Sequence, residues 1–180
     1  PMVNAFAIPG GYIYITRGLL ALAEDEAEVA AVLAHEMGHV NARHTAQQMS
    51  QGLLANIGLQ ALGAATGSNV AAQLGSVGAD LYLKSYSRTH EYEADALSVR
   101  YLAEAGYDVT ATERFLRQLD RSTQFESRMA GKAANQFSYL STHPQTPDRI
   151  TRAHALAQQV GGAPQGTVNR TGFLQTLNGT

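Results

Sequence analysis

The sequence predicts one mainly α-helical domain with a small β element near its N-terminus, and three observations carry this expectation. Residues 5 to 16, AFAIPGGYIYIT, place two short runs of β-branched and aromatic residues around a Pro-Gly-Gly turn. From Asp25 the hydrophobic period becomes helical, with Val29, Val32, Leu33, Met37 and Val40 in one stripe. Helix punctuation then recurs along the chain, at Gly106, at Thr110 with Glu113, at Thr146-Pro147-Asp148 and at Gly161-Gly162.

Taken in order, the first two runs predict a hairpin whose second strand, around Tyr12, Ile13, Tyr14 and Ile15, is an edge strand. Glu24, Asp25, Glu26 and Glu28 then put negative charge where a helix dipole favours it. No break in this helix is expected before Gly52. Between Thr45 and Ala79 no residue carries a formal charge, but Gln47, Gln48, Gln51, Asn56 and Gln60 interrupt the segment. It lacks the uninterrupted apolar run of about 18 residues that a membrane span needs. A buried Ala/Gly-rich helical pair with a turn near 63–69 is the expectation, and a membrane-facing surface the lesser one. A second long helix is expected from about Asp80 to Ala105, with Gly106 as its cap. A third starts at Thr110-Ala-Thr-Glu113, which reads as a capping box. A fourth starts at Pro147, after a capping hydroxyl and before an acid, and closes at Gly161-Gly162.

The 180 residues suit a single domain, 1–180, with a real hydrophobic core. The chain opens on Pro1 and ends abruptly after GFLQTLNGT, which reads as a piece of a longer protein. A formal charge of -2 gives no reason to expect nucleic acid or an anionic membrane as a partner. Membrane association is expected only through regions outside this chain. There is no cysteine, so any metal must be held by His, Asp or Glu.

The stretch HEMGHVNARH bears on that last point. Its first five residues fit H-E-x-x-H, in which two histidines four apart lie on one helical face and can share a zinc ion. His35 and His39 are those two, and Glu36 flanks the same face, where it can reach water at the ion rather than the ion itself. A pair of structural histidines on a core helix is the plainer alternative. His44 lies nine residues from His35 and five from His39, roughly 180° and 140° round a straight helix. Metzincins turn the chain with a Gly and place a third His six after the second; here those positions are Ala42 and Thr45. The helix is therefore expected to run straight on, leaving His44 as a surface or second-layer residue.

The third ligand must come from elsewhere, and SRTHEYEAD offers it. Glu91 and Asp95 are four apart, beside the apolar Ala94, Leu97 and Tyr101, whereas Glu93 falls with Arg100 and Glu104 on a solvent stripe. An inward carboxylate needs a partner, either zinc or an ordinary salt bridge. His90 and His154 are expected to face solvent. In STHPQTPDRI, Arg149 falls in a first helical turn, where the dipole disfavours a cation, so it too needs a partner.

HEMGH followed by EYEAD resembles the gluzincin metallopeptidases, within them the family of the CAAX-prenyl proteases, HtpX and the BepA-like periplasmic proteases. NAFAIPGGYIYITRGLL, AEAGYD and STHPQTPDRI match in the family's order, so the resemblance covers nearly the whole chain. It implies a zincin-like fold with a long active-site helix and one Zn2+ per chain. It puts Glu91 at the third ligand and Asp95 behind a ligand histidine. It also places His143 near the open zinc position, either donating a hydrogen bond to an oxyanion or filling the fourth position and blocking it. Arg149 would pair with Asp95 or stabilise the same anion. Val109 departs from the Pro often found after AGYD. The membrane helices of the CAAX and HtpX branches are missing, which points to the soluble branch.

The expected function is that of a zinc metalloendopeptidase acting on extended or unfolded polypeptide, with Glu36 as general base and substrate added as a strand along Tyr12–Thr16. A role in protein quality control, in the bacterial periplasm or at a membrane, follows from the resemblance, with the cytoplasm left open. The alternative is a zinc-containing binding or chaperone-like module whose peptidase activity is vestigial or gated. An intact Glu36 argues against it, since a structural zinc site needs no base.

Overall fold

The computed structural model describes residues 2–8, 10–66, 85–130, 139–144, 147–161 and 166–179. Strands β1 (Ala5–Ile8) and β2 (Tyr12–Ile15) form an antiparallel hairpin in which Ala5 pairs with Ile15 and Ala7 with Ile13. Gly10 and Gly11 adopt positive φ of 100° and 85°, which lets so short a loop reverse the chain. Ala5 and Ala7 face inward and are buried, while Phe6 and Tyr14 stack on the outer face at 5.3 Å. Helix α1 (Arg17–Leu22) follows, capped by the Thr16 hydroxyl, which accepts from Leu19 N–H.

Helix α2 (Glu26–Asn41) is the centre of the domain. Asp25 caps it by accepting from Glu28 N–H at 3.0 Å. The acidic cluster there is balanced by Arg114, which reaches Asp25 at 2.7 Å, Glu28 at 2.9 Å and Asp108 at 3.4 Å. One side of α2, with Val32, joins a core of Ala5, Leu19, Phe115, Leu119 and Tyr139. The other, with Ala27 and Ala31, joins Val99, Leu102, Val109, Ala111 and Ala157. The buried face is thus largely alanine. Met37, expected in the apolar stripe, is 45% exposed.

The helix does not run on past His44. It ends at Asn41, and Arg43 takes the left-handed conformation with φ 58°, its N–H donating to Val40 O at 3.0 Å. Helix α3 (His44–Thr66) then starts in a new direction. A left-handed C′ residue is usually Gly or Asn, so Arg43 carried no local warning of the turn. The expected buried helical pair is not what α3 forms: Met49, Leu53, Leu54 and Ile57 are all more than half exposed, and the helix passes through Gly63. The second helix of that pair and residues 67–69 of its turn lie outside the described residues. No helix among the described residues is long and apolar enough to cross a membrane.

Helix α4 (Arg88–Ala105) begins later than Asp80, because Ser87 caps it by accepting from His90 N–H at 3.2 Å; residues 80–84 lie outside the described residues. It ends at Gly106, which has φ 77° as a C-cap glycine should. Helix α5 (Ala111–Ala130) starts where the sequence put it, but not through a capping box. The Thr110 hydroxyl and N–H both donate to Asp108, and the Glu113 carboxylate turns to Arg117 and His154 instead. A short helix α6 (Tyr139–Thr142) precedes α7 (Pro147–Val160), which has Pro at its first position, and α8 (Arg170–Asn178) closes the chain.

Helices α2 and α4 pack very closely. A Cβ on Gly38 would lie 3.1 Å from Ala94 Cα and 3.2 Å from its carbonyl oxygen, both backbone atoms that cannot swing aside. Ser98 reinforces the contact by donating to Ala31 O across it at 2.9 Å. Gly38→Ala should therefore lose stability. The gain in helix propensity is about 1 kcal/mol, whereas overpacking a tight contact costs about 1–3 kcal/mol. Denaturant unfolding checks this, and a stabilised variant would show that the two helices can move apart.

Candidate metal centre

The close approach of α2 and α4 brings their polar residues together. His35, Glu36 and His39 on α2 and Glu91 and Asp95 on α4 are all at most 3% exposed. His143, just after α6, joins them from a third direction at 1%. His35 Nε2 lies 3.1 Å from His39 Nε2, 3.4 Å from His143 Nδ1 and 3.5 Å from Glu91 Oε2. Glu91 Oε1 lies 3.3 Å from His39 Nε2 and 3.1 Å from His143 Nδ1. All four donor groups fall within 4.8 Å of one another.

These separations test whether a metal fits. Zinc–nitrogen bonds of about 2.0–2.1 Å in a tetrahedron require donor atoms about 3.3–3.4 Å apart, close to the distances observed. The donor set, imidazole nitrogens and a carboxylate, also suits zinc. Two buried oxygens bear on the same question. Glu36 Oε1 and Glu91 Oε2 accept no well-aligned hydrogen bond, although Arg149 Nη1 is 2.6 Å from the latter. A cation among these donors would satisfy Glu91 directly.

Electrostatics agree with that reading. Burial alone would raise the Glu91 carboxyl, but His143, His35 and His39 outweigh it and hold the group well below the usual carboxylate range. Burial pushes His39 down to about 2, so it is a neutral imidazole with a free lone pair, as a ligand must be. Burial also opposes charge on His35, yet Asp95 and Glu91 raise it to about 9; without a cation, a proton here balances the two carboxylates.

The neighbours of this group are equally buried. Asp95 Oδ1 is 3.0 Å from His35 Nδ1, the nitrogen facing away from the cluster. Arg149 grips Asp95 with two hydrogen bonds of 2.8 Å, and a third donates to Pro144 O. Arg149 is thus partnered despite its place in the first turn of α7. Glu36 Oε1 lies 3.4 Å from His143 Nε2. Three aromatic contacts had no counterpart in the sequence reading. Tyr86 stacks on His39 at 3.9 Å, Tyr139 stacks on His143 at 4.4 Å, and His90 stacks on His44 at 4.2 Å. Tyr139 lies four residues before His143, which is the one local signal that could have linked them. His90 is consequently half-buried rather than solvent-facing, whereas His154 is exposed beside Glu113. His44 is no surface residue either: it is 1% exposed, in a second layer against His39.

The hairpin lies beside the cluster through β1. Ala7 and Ile8 of β1, with His39, Val40, Ala46 and Met49, line a cavity of about 240 Å³. Of the four β2 residues named from the sequence, Tyr12 and Tyr14 are exposed, and Ile13 and Ile15 are half-buried, Ile15 against the core. None of them lines that cavity.

The profile of peptidase family M48 matches residues 1–157. A β-barrel assembly-enhancing protease of Yersinia pestis is 30% identical over 173 residues, 90% of this chain and 34% of that protein. The protein of the same name in Escherichia coli is 30% identical over 169 residues, 88% of this chain and 33% of its own length. The mitochondrial metalloendopeptidase OMA1 of Arabidopsis thaliana is 36% identical over 145 residues, 80% of this chain and 27% of that protein. The chain thus spans about a third of the length of the curated relatives it matches.

Two outcomes follow from the geometry. His35→Ala, His39→Ala and Glu91→Ala should each fold yet lose stoichiometric zinc in elemental analysis; retention of the full ion would remove that residue from the ligand set. Arg149→Met should cost about 3–5 kcal/mol, because it leaves buried carboxylates unpaired. Burial pushes the Asp95 carboxyl up, but Arg149 and His35 pull it further down, below its ordinary range. Its contribution is therefore fully present above about pH 3.9, the unfolded value, and is lost as pH falls through the depressed folded one. Acid unfolding of the wild type and of Arg149→Met, followed by circular dichroism, reads both effects.

Proposed function

This chain belongs to peptidase family M48, and from that premise we propose that it is a zinc-dependent endopeptidase for extended or unfolded polypeptide. The observation that carries the proposal is the buried Glu36 Oε1, which has no well-aligned hydrogen-bond donor among the described residues, beside a donor set spaced for one tetrahedral ion. His35, His39 and Glu91 would hold the zinc. A bound zinc ion supplies Lewis acidity, polarising the scissile carbonyl and acidifying water. Glu36 accepts the proton of the attacking water and passes it to the leaving amine. Asp95, clamped by Arg149, fixes the His35 ring. His143 Nε2 faces the same space as Glu36 and can donate to the developing oxyanion.

Substrate pairing belongs to the hairpin in this proposal, moved from β2 to β1. With Thr16 N–H donating to Asn4 O, the alternation of an antiparallel ladder turns the backbone groups of Ala5 and Ala7 away from β2. Ala5 is sealed in the core, so the groups of Ala7, beside the cavity, are the ones an extended peptide can pair with whatever its sequence. The cavity beside His39 would take one apolar side chain. A role in protein quality control, in a bacterial periplasm, draws its support from likeness to β-barrel assembly-enhancing proteases.

One observation favours a gated variant of this reading. His143 Nδ1 sits as close to Glu91 and His35 as the other donors do, so it can fill a fourth position and hold the resting enzyme inactive.

Glu36→Gln should keep its zinc and lose about 10²–10⁴-fold in peptidase rate on an unfolded protein substrate. Near-normal turnover would mean that another group takes the proton. His143→Ala separates its two roles, since oxyanion stabilisation predicts a slower enzyme and blockade a faster one. Cleavage confined to helices of a rigidly folded substrate would contradict pairing with the hairpin.

A further inference from the structure

We infer that His44 and Glu93 form a positioning relay that fixes the tautomer and ring orientation of His39, and with them the affinity of the site for a divalent metal. The inference rests on the reading of His39 as a ligand. His44 Nδ1 lies 2.9 Å from His39 Nδ1, and His44 Nε2 lies 3.3 Å from Glu93 Oε2. Two lone pairs cannot face each other at 2.9 Å, so one of the two Nδ1 atoms carries a proton. Glu93 decides which. An ionised carboxylate only accepts, so the proton of His44 sits on Nε2 and its Nδ1 offers a lone pair. His39 must then donate from Nδ1. Its own lone pair is left on Nε2, the atom 3.1 Å from His35 Nε2 and 3.3 Å from Glu91 Oε1.

The fold builds this relay on purpose-shaped backbone. A straight helix would have carried His44 to the far side, and the left-handed turn at Arg43 returns it beneath His39. A non-glycine residue in that conformation is strained, and the buried contact offsets the strain. Ring stacking fixes the planes: Tyr86 covers His39 at 3.9 Å and His90 covers His44 at 4.2 Å with 15° between rings. The arrangement mirrors the one behind His35, where Asp95 plays the accepting part. Partners behind ligand histidines set ring direction and basicity, and their loss typically costs 10–100-fold in metal affinity.

Zinc affinity by chelator competition, and imidazole tautomers of the metal-free protein by long-range ¹H–¹⁵N spectra, test the relay. His44→Leu should bind zinc about 10–100-fold more weakly, and His44→Asn, whose amide oxygen can accept near the place of Nδ1, should return to within about threefold of wild type. Glu93 is 56% exposed, so Glu93→Ala leaves the core intact, and His39 should lose its single Nδ1–H tautomer in that variant. Equal affinity of His44→Leu and wild type would overturn the inference. So would a folded His44→Asn as weak as His44→Leu, or a His39 tautomer unmoved in Glu93→Ala. A wild type that binds no zinc counts against His39 as a ligand, and the metal-free spectra then decide the relay by themselves.

Discussion

The closeness of α2 and α4 at Gly38 and Ala94 is the constraint on which the centre depends. Only a glycine lets the Ala94 backbone approach this near, and the approach sets Glu91 within 3.5 Å of both His35 and His39. Side chains as short as these cannot make up an extra ångström by bending. The alanine-rich faces of the two helices, with Ala27 and Ala31 in the same seam, extend the fit over two turns. The seam is small-residue packing chosen for distance, and the larger apolar side chains are left to the cores on either side.

Bringing the helices together has an electrostatic cost. Glu36, Glu91 and Asp95 are buried within one small volume, and burying a lone carboxylate costs several kcal/mol. Arg149 is the only fully buried arginine among the described residues, and it commits two hydrogen bonds to Asp95 while touching Glu91. That leaves the Glu36 and Glu91 carboxylates as a surplus of negative charge, which a proton on His35 offsets only in part. The same surplus that would destabilise an empty core makes the site attractive to a divalent cation. Stability and metal binding are therefore two aspects of one charge balance.

Each of the two H-E-x-x-H histidines is held from behind, and by different means. His35 leans on a carboxylate that an arginine clamps, whereas His39 leans on another histidine, reached only because the chain turns at Arg43. Both devices leave Nε2 pointing inward. The hairpin flanks the cluster on another side, where Ala7 and Ile8 of β1 line an apolar cavity beside His39.

Local signals were legible because they depend on the backbone alone. Four-residue spacing aligns His35 with His39 and Glu91 with Asp95 on any helix, Gly106 and Pro147 mark helix ends wherever they stand, and PGG reverses a strand. Glu91 was legible as an inward acid in need of a partner, because it lies beside Ala94, but whether that partner is a metal or a salt bridge was left to the family resemblance. What the tertiary structure decided are matters of competition between partners. Glu113 could cap its helix or meet Arg117 and His154, and Thr110 could cap or bond Asp108; in both cases a neighbour from outside the local pattern won. Met37, in the apolar stripe by period, is left 45% exposed, because the face of α2 that packs on α4 runs through Gly38 and its buried neighbours instead. The turn at Arg43 has no sequence mark, since its strain is offset by a contact between rings from either side of the bend. His143 reaches the cluster from a separate segment, so spacing along the chain is silent about it. Periodicity reports which face a residue occupies, and only packing determines what stands opposite that face.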